Sequence, residues 1–116
     1  MGNEKTELLP GTLEMLVLKA LCLEPMHSWG IGQRLDQWSS DTFRVAQGSL
    51  HPALQRMLRK GWIRSKWQVT ENNRRGRYYS VTRSGRRQLE QRAAGWDRAS
   101  AAIDGILGLR PSDATS

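Results

Sequence analysis

The chain carries few of the side chains that catalysis or metal binding usually requires. His27 and His51 are its only histidines, and Cys22 is its only cysteine. Neither histidine has a cysteine partner at the spacing of a zinc site, and the glycines form no phosphate-binding loop motif. A single cysteine excludes an intramolecular disulfide, and its apolar neighbours favour a buried, unreactive thiol. The sequence therefore predicts neither an enzyme nor a protein with a metal or cofactor.

Basic residues are the distinctive chemical feature of the chain. The formal net charge is +7. Residues 44–92 contain thirteen Lys or Arg and two acidic residues, whereas the rest of the chain contains five basic and nine acidic residues. Such a concentration is typical of proteins that bind a polyanion. A solvated basic surface is the alternative, and an anionic membrane surface is disfavoured because no long basic amphipathic helix is present.

The hydrophobic pattern indicates where these charges are positioned. It predicts a first helix over 12–23, a second capped by Ser28 and ending near residue 39, and a third beginning near 47–49 and ending at Gly61. Strands are predicted over 62–69 and 77–81, and a last helix, capped by Thr82, over 84–109. Residues 10–82 would form one domain and 83–110 a dimerisation helix, flanked by a mobile arm over 1–9 and a disordered tail over 111–116. Neither a secretory signal nor a membrane span is visible, so we expect a cytoplasmic protein without membrane contact.

The third helix has the properties of the recognition helix in a helix-turn-helix, which enters the major groove of DNA. Gln47, Ser49 and His51 lie at its N-terminal end, where side chains reach base edges. Arg56, Arg59 and Lys60 lie further along and are better placed for phosphates, which carry no sequence information. A nucleic-acid-binding protein without site preference, architectural or RNA-directed, is the alternative interpretation.

The predicted hairpin carries a basic tip that could bind the DNA backbone or a narrow minor groove. Its polar residues are Asn73, Arg74, Arg75 and Arg77. A solvated turn that keeps an edge strand soluble is the alternative. Trp62 is predicted to lie in the core, whereas Trp67 could either pack in the core or stack on bases. Tyr78 and Tyr79 point to opposite faces of their strand, and we assign the DNA contact to Tyr79.

The last helix has an apolar stripe with a mean period near 3.5, which is typical of a coiled coil. We expect a homodimer, although a helix folded back on the first helix would give a similar stripe. Trp96 could also form the wall of a pocket for a small hydrophobic or aromatic effector. The residues predicted to dimerise are Leu13, Leu16, Leu89, Ala93, Trp96, Ser100, Ile103 and Leu107.

Several segments resemble the PadR family of bacterial transcriptional regulators. They are residues 9–21, Pro25-Met-His-Ser-Trp-Gly-Ile31, Gly48-Ser-Leu-His-Pro-Ala-Leu54, Gly61-Trp-Ile63, Glu71-Asn-Asn-Arg-Arg75, Tyr78-Tyr79 and Thr82-Arg-Ser-Gly85. The resemblance implies a winged-helix homodimer of the compact subfamily, usually a repressor and often relieved by a small effector. Ser28, Trp29 and His51 replace a glycine and two tyrosines of the family pattern, so Trp29 would supply an indole N–H in place of a phenol.

Taken together, these features predict a mostly α (α+β) protein, a winged helix-turn-helix with a two-stranded wing and a C-terminal dimerisation helix. Its expected partners are a double-stranded DNA operator, a second copy of the chain and a small effector. The residues predicted to contact DNA are Trp29, Gln47, Ser49, His51, Arg56, Lys60, Asn73, Arg74, Arg75, Arg77 and Tyr79.

Overall fold

Three helices, a hairpin and a long fourth helix follow one another in the predicted order. The structure is a computed structural model that describes residues 10–69 and 72–114, so the predicted N-terminal arm lies outside it. The elements are α1 (Pro10–Leu23), β1 (Met26–His27), α2 (Ser28–Trp38), α3 (Gln47–Arg59), β2 (Ile63–Val69), β3 (Arg75–Val81), α4 (Arg83–Leu107) and the short 3-10 helix η1 (Pro111–Ala114).

The ends of the helices differ from the prediction at several places, and α4 ends at Leu107, two residues before the predicted end. Helix α1 begins at Pro10, two residues early, because proline fits the first helical position, where its missing N–H would have no partner. The prediction that Ser28 caps α2 is wrong, since the imidazole Nδ1 of His27 accepts the Gly30 N–H at 3.0 Å. Part of the predicted disordered tail forms η1, where an Asp113 carboxylate oxygen accepts the Arg110 N–H at 2.9 Å.

The core lies where α1, α2 and α3 meet the sheet. Val17, Leu18, Ile31, Leu50 and Leu54 are fully buried at its centre. Full burial of a side chain of this size stabilises a fold by roughly 1.5–3 kcal/mol, which explains why helices too short to be stable alone persist here. Strand residues close the core from the other side, namely Met26, Ile63 and Tyr79.

The sheet has three antiparallel strands in the order β1-β3-β2, rather than the two of the predicted wing. Strand β1 contributes only the pairs Met26↔Tyr79 and His27↔Tyr78. In the β2–β3 hairpin, Ile63 pairs with Val81 and Trp67 pairs with Arg77. Since side chains alternate along a strand, the hairpin face that joins the core through Ile63 continues outward to Trp67.

Helix α4 begins against the core and then extends away from it. The Thr82 hydroxyl accepts the Gly85 N–H at 3.1 Å, as the sequence predicted for the cap. Gly85 is buried against the carbonyl of Trp62, so closely that a Cβ would collide with that backbone. The helix has 25 residues, about 37 Å of length, and its residues 101–107 are all exposed. The molecule is correspondingly long, with principal extents of 65 × 37 × 21 Å.

Candidate nucleic-acid interface

Helix α3 buries one face and presents the other to solvent. Its buried stripe consists of Leu50, Ala53, Leu54 and Met57. Ser49 and His51 are exposed in its first turns, and the N-cap residue Ala46 offers no side-chain acceptor to the first backbone N–H groups. An exposed helix start without a side-chain cap suits a negatively charged partner.

Gln47 has an internal partner that the sequence did not indicate. Its side-chain Nε2 donates to the Ser28 carbonyl at 3.3 Å, and the side chain is half-buried. Gly32 makes room for this amide, because a Cβ there would lie 3.0 Å from Nε2. Gln47 therefore links α3 to the start of α2, and among the three residues predicted to read bases only Ser49 and His51 are exposed.

Arg56 is not placed as the predicted phosphate ligand. Its Nε donates to Oε2 of Glu14 at 3.0 Å, while Arg92 donates to the other carboxylate oxygen at 3.1 Å. The Glu14 side chain is only 5% exposed, so the carboxylate needs these partners to offset its loss of water. Arg56 thus joins α3 to α1, and this correction arises because Glu14 lies within reach only in the folded chain. Glu14 and Arg92 were both missed, although an acid between the apolar Leu13 and Val17 is a detectable signal.

The remaining basic residues of α3 and the hairpin are exposed. Arg59 and Lys60 lie at the end of α3, and the Lys60 ammonium lies 4.6 Å from the centre of the Trp62 ring. Trp62 is half-buried against the core, and Arg92 lies over it at 4.9 Å. Four exposed residues of the hairpin carry its predicted DNA contacts, namely Asn73, Arg74, Arg75 and Arg77.

The hairpin tip turns at Asn73, whose φ of 57° is left-handed. Asparagine tolerates this conformation better than most residues. The tip is therefore compatible with its sequence. Arg74 follows the turn, and Arg75 and Arg77 lie on β3.

The assignment of a DNA contact to Tyr79 is wrong. Tyr79 is 5% exposed and belongs to the core, where it pairs with the buried Met26. Tyr78 is the outward-facing member of the pair, half-buried beside the His27 ring at 5.5 Å in an edge-on arrangement. Alternation required the two tyrosines to differ, and the strand registers determined which one faces inward, since Tyr79 shares a face with Ile63 and Val81 and lies opposite Met26.

Trp29 lies exposed at the start of α2. It is 60% exposed, and its ring centre lies 6.2 Å from that of His27. Together with Tyr78 and Gln33 these rings line an open cavity of about 390 Å³. Much of the Trp29 side chain is thus accessible to a partner.

The residues predicted to dimerise fall into two groups. Leu13 is 4% exposed and the partly buried Leu89 packs against the core, so both side chains are used within the protomer. Leu16 is half-buried beside Trp38 and Phe43 in an apolar groove of about 280 Å³. The remaining predicted residues form an accessible stripe on the part of α4 that extends beyond the core. They are Ala93, Trp96, Ser100, Ile103 and Leu107.

A second groove lies between α1 and α4. It has a volume of about 460 Å³ and is lined by Thr12, Met15, Arg92, Trp96 and Ala99, among others. Trp96, 53% exposed, forms part of its wall. This groove is the one predicted to take an effector.

The described part of the chain contains neither a membrane-spanning helix nor a cluster of metal-binding side chains. Over residues 10–69 and 72–114, no helix is long and apolar enough to cross a bilayer. The same residues contain no cluster of three His, Cys, Asp or Glu side chains able to hold a metal ion.

The three packed helices, the hairpin beside them and the basic surface define a winged helix-turn-helix module of the DNA-binding class. A sequence model described as the transcriptional regulator PadR-like family matches residues 17–91. The chain belongs to this family and is a DNA-binding transcriptional regulator, as its motifs predicted. The members of the family are transcriptional regulators rather than enzymes.

Solved structures agree with this identification, whereas no curated protein matches the chain. A PadR family transcriptional regulator from Eggerthella lenta is 26% identical, with a TM-score of 0.75 over 86% of this chain and 85% of that one. A Streptococcus transcriptional regulator is also 26% identical, with a TM-score of 0.75 over 90% and 100% of the two chains. A Streptococcus mutans protein shares the fold with a TM-score of 0.79 at 23% identity, over 92% and 98%.

Proposed function

We propose that the protein is a homodimeric repressor that recognises a specific, two-fold symmetric operator in double-stranded DNA. The observation that carries the proposal is the open surface of α3, on which Ser49 and His51 are exposed rather than covered by the chain. These two side chains would contact base edges, since a recognition helix reads the major groove with its N-terminal residues.

Phosphate contacts would supply most of the affinity. Trp29, Lys60 and the exposed polar residues of the hairpin are the candidates, because each is accessible on the surface. Such contacts fix the orientation of a protein on the duplex without reading its sequence. Binding should therefore weaken steeply as salt is raised.

Dimerisation would proceed through α4. Trp96, Ile103 and Leu107 are 53%, 53% and 77% exposed, an unusual amount of large apolar surface for a helix that remained alone in water. A partner helix packed on this stripe would bury it and would place two recognition helices to read two half-sites about one helical turn apart.

Effector control would act at the groove between α1 and α4. Its lining includes apolar surface from Met15, Trp96 and Ala99, which suits a small hydrophobic or aromatic molecule. Because the groove is bounded by the helix proposed to dimerise, a molecule bound there could alter the distance between the two recognition helices and release the operator.

Selection of DNA from a random duplex pool tests the proposal. We expect inverted half-sites separated by about 10 base pairs, centre to centre, together with a dimer mass in light scattering. His51→Ala should relax the preference at particular base pairs of each half-site. Recovery of unrelated sequences with equal affinities would overturn the proposal in favour of a nucleic-acid-binding protein without site preference.

A further inference from the structure

One face of the hairpin combines an exposed tryptophan with two arginines. Trp67 on β2 pairs directly with Arg77 on β3, and Arg75 lies two residues further along the same face, opposite Val69. The Arg77 and Arg75 guanidinium carbons lie 5.6 and 5.2 Å from the centre of the Trp67 ring. Both distances are within the range of a cation–π interaction.

Packing in the core does not account for Trp67. Its side chain is 55% exposed, and it lies beyond Ile63 and Tyr79, where the core face of the hairpin ends. An exposed indole retains apolar surface in water, so its contribution to folding is small. Its contacts with the two guanidinium groups are therefore its main interactions on this face.

Two arginines on one strand face ordinarily repel each other and move freely. Each arginine side chain has many rotamers, and this conformational entropy is lost when the side chain is fixed on a ligand. The indole restricts both groups before any ligand arrives. The Ser65 hydroxyl also accepts the Arg77 Nε–H at 3.0 Å, so Nε is engaged within the hairpin and a fork on a phosphate would use the two terminal nitrogens of the guanidinium.

We infer that Trp67 is a positioning residue that holds Arg75 and Arg77 as one preorganised pair for the phosphates of duplex DNA. The inference rests on the proposed function, which it deepens by assigning a role to a side chain that carries no charge. Trp67 acts through the arginines and contributes no contact of its own that reads or binds DNA.

The stack itself can be observed in the free protein. The indole ring current should shift the Arg75 and Arg77 side-chain NMR signals upfield, and Trp67→Ala should return both to ordinary positions without changing the melting temperature. Val69→Ala is the matched control, because Val69 is a 66% exposed apolar residue on the same face without a stacked cation. Arginine signals that do not move in Trp67→Ala would overturn the inference.

The role in DNA binding is tested by a double-mutant cycle in fluorescence anisotropy over several salt concentrations. We expect Trp67→Ala to weaken binding about threefold to fivefold, the size of an exposed cation–π contact, and to leave the slope of log K against log salt nearly unchanged, because both arginines remain to neutralise phosphates. Trp67→Phe should retain most of the affinity, and Val69→Ala should change it by less than about twofold. In a protein that already carries Arg75→Gln and Arg77→Gln, Trp67→Ala should have almost no further effect.

Two other results would contradict the inference. An equal loss in both backgrounds would mean that Trp67 binds DNA by itself, and no loss in the unsubstituted background would mean that the stack is irrelevant to binding. Both leave the proposed function intact. If the unsubstituted protein binds no duplex, the proposed function is overturned and the inference with it.

Discussion

Glu14 and Arg56, 42 positions apart in the chain, meet at 3.0 Å between α1 and the proposed recognition helix α3. The same carboxylate accepts Arg92 at 3.1 Å, and Arg92 also donates to the Gly11 carbonyl at 3.1 Å. One buried acid thus connects α1, α3 and α4. This connection fixes the helix proposed to face DNA against the helix proposed to dimerise.

Glu14→Gln should destabilise the fold by about 1–3 kcal/mol. Removing one partner of a buried pair leaves the other charges uncompensated, although the two arginine side chains are 35% and 26% exposed and water screens part of the loss. Urea denaturation at fixed protein concentration measures the effect. Glu24→Gln is the matched control, because its pair with Arg34 is 55% and 47% exposed at 3.4 Å and should contribute less than about 1 kcal/mol. Equal effects of the two substitutions would contradict this account.

Arg56→Ala and Arg74→Ala should affect DNA binding differently. Arg74 is exposed in the hairpin, so its loss should make the salt dependence of binding shallower by about 1 in slope. Arg56 is engaged by Glu14, so its loss should lower stability and leave that slope unchanged. Anisotropy titrations at four or more salt concentrations, with folding checked by circular dichroism, separate the two effects. A shallower slope for Arg56→Ala would restore it as a phosphate ligand.

His27→Ala should cost about 1 kcal/mol, because it removes the side-chain acceptor that caps α2. His27→Asn should recover most of this loss, since asparagine is an efficient N-cap acceptor. Thermal denaturation of the two variants and the unsubstituted protein provides the comparison. If Asn proves as harmful as Ala, the contribution of His27 comes instead from its edge-on contact with Tyr78.

The order and type of the main elements could be predicted because the helices bury regular stripes and the hairpin alternates. Strand β1 could not be predicted, since two residues show no period and pair only because β3 offers a free edge. The cap at His27 has the same origin, as the extended backbone of that short strand brings the imidazole to Gly30. Ser28 was predicted as the N-cap from residue preference alone, which does not depend on whether a strand precedes the helix.

The candidate site shows the same division between local and long-range causes. The exposure of Ser49 and His51 follows from the apolar stripe of α3, which the sequence displays. The internal partners of Gln47 and Arg56 depend on Ser28 and Glu14, which lie 19 and 42 positions away. The sequence of α3 predicted that Gln47 and Arg56 lie off its apolar stripe, but it could not predict which residues they contact.

Replacing Ile103 and Leu107 together by aspartate should convert a dimer into a monomer. Both side chains lie on the exposed stripe of α4 and contact little of their own chain, so burying two carboxylates between helices would cost several kcal/mol while the monomer fold is unaffected. Light scattering over a range of concentrations measures the mass, and far-ultraviolet circular dichroism tests the fold. Ala101→Asp is the control, because Ala101 is exposed on another side of the same helix and should leave the dimer intact. Operator affinity should fall when dimerisation is lost, since a monomer has one recognition helix and would read only one half-site. A double variant that keeps the dimer mass would exclude this stripe as the interface.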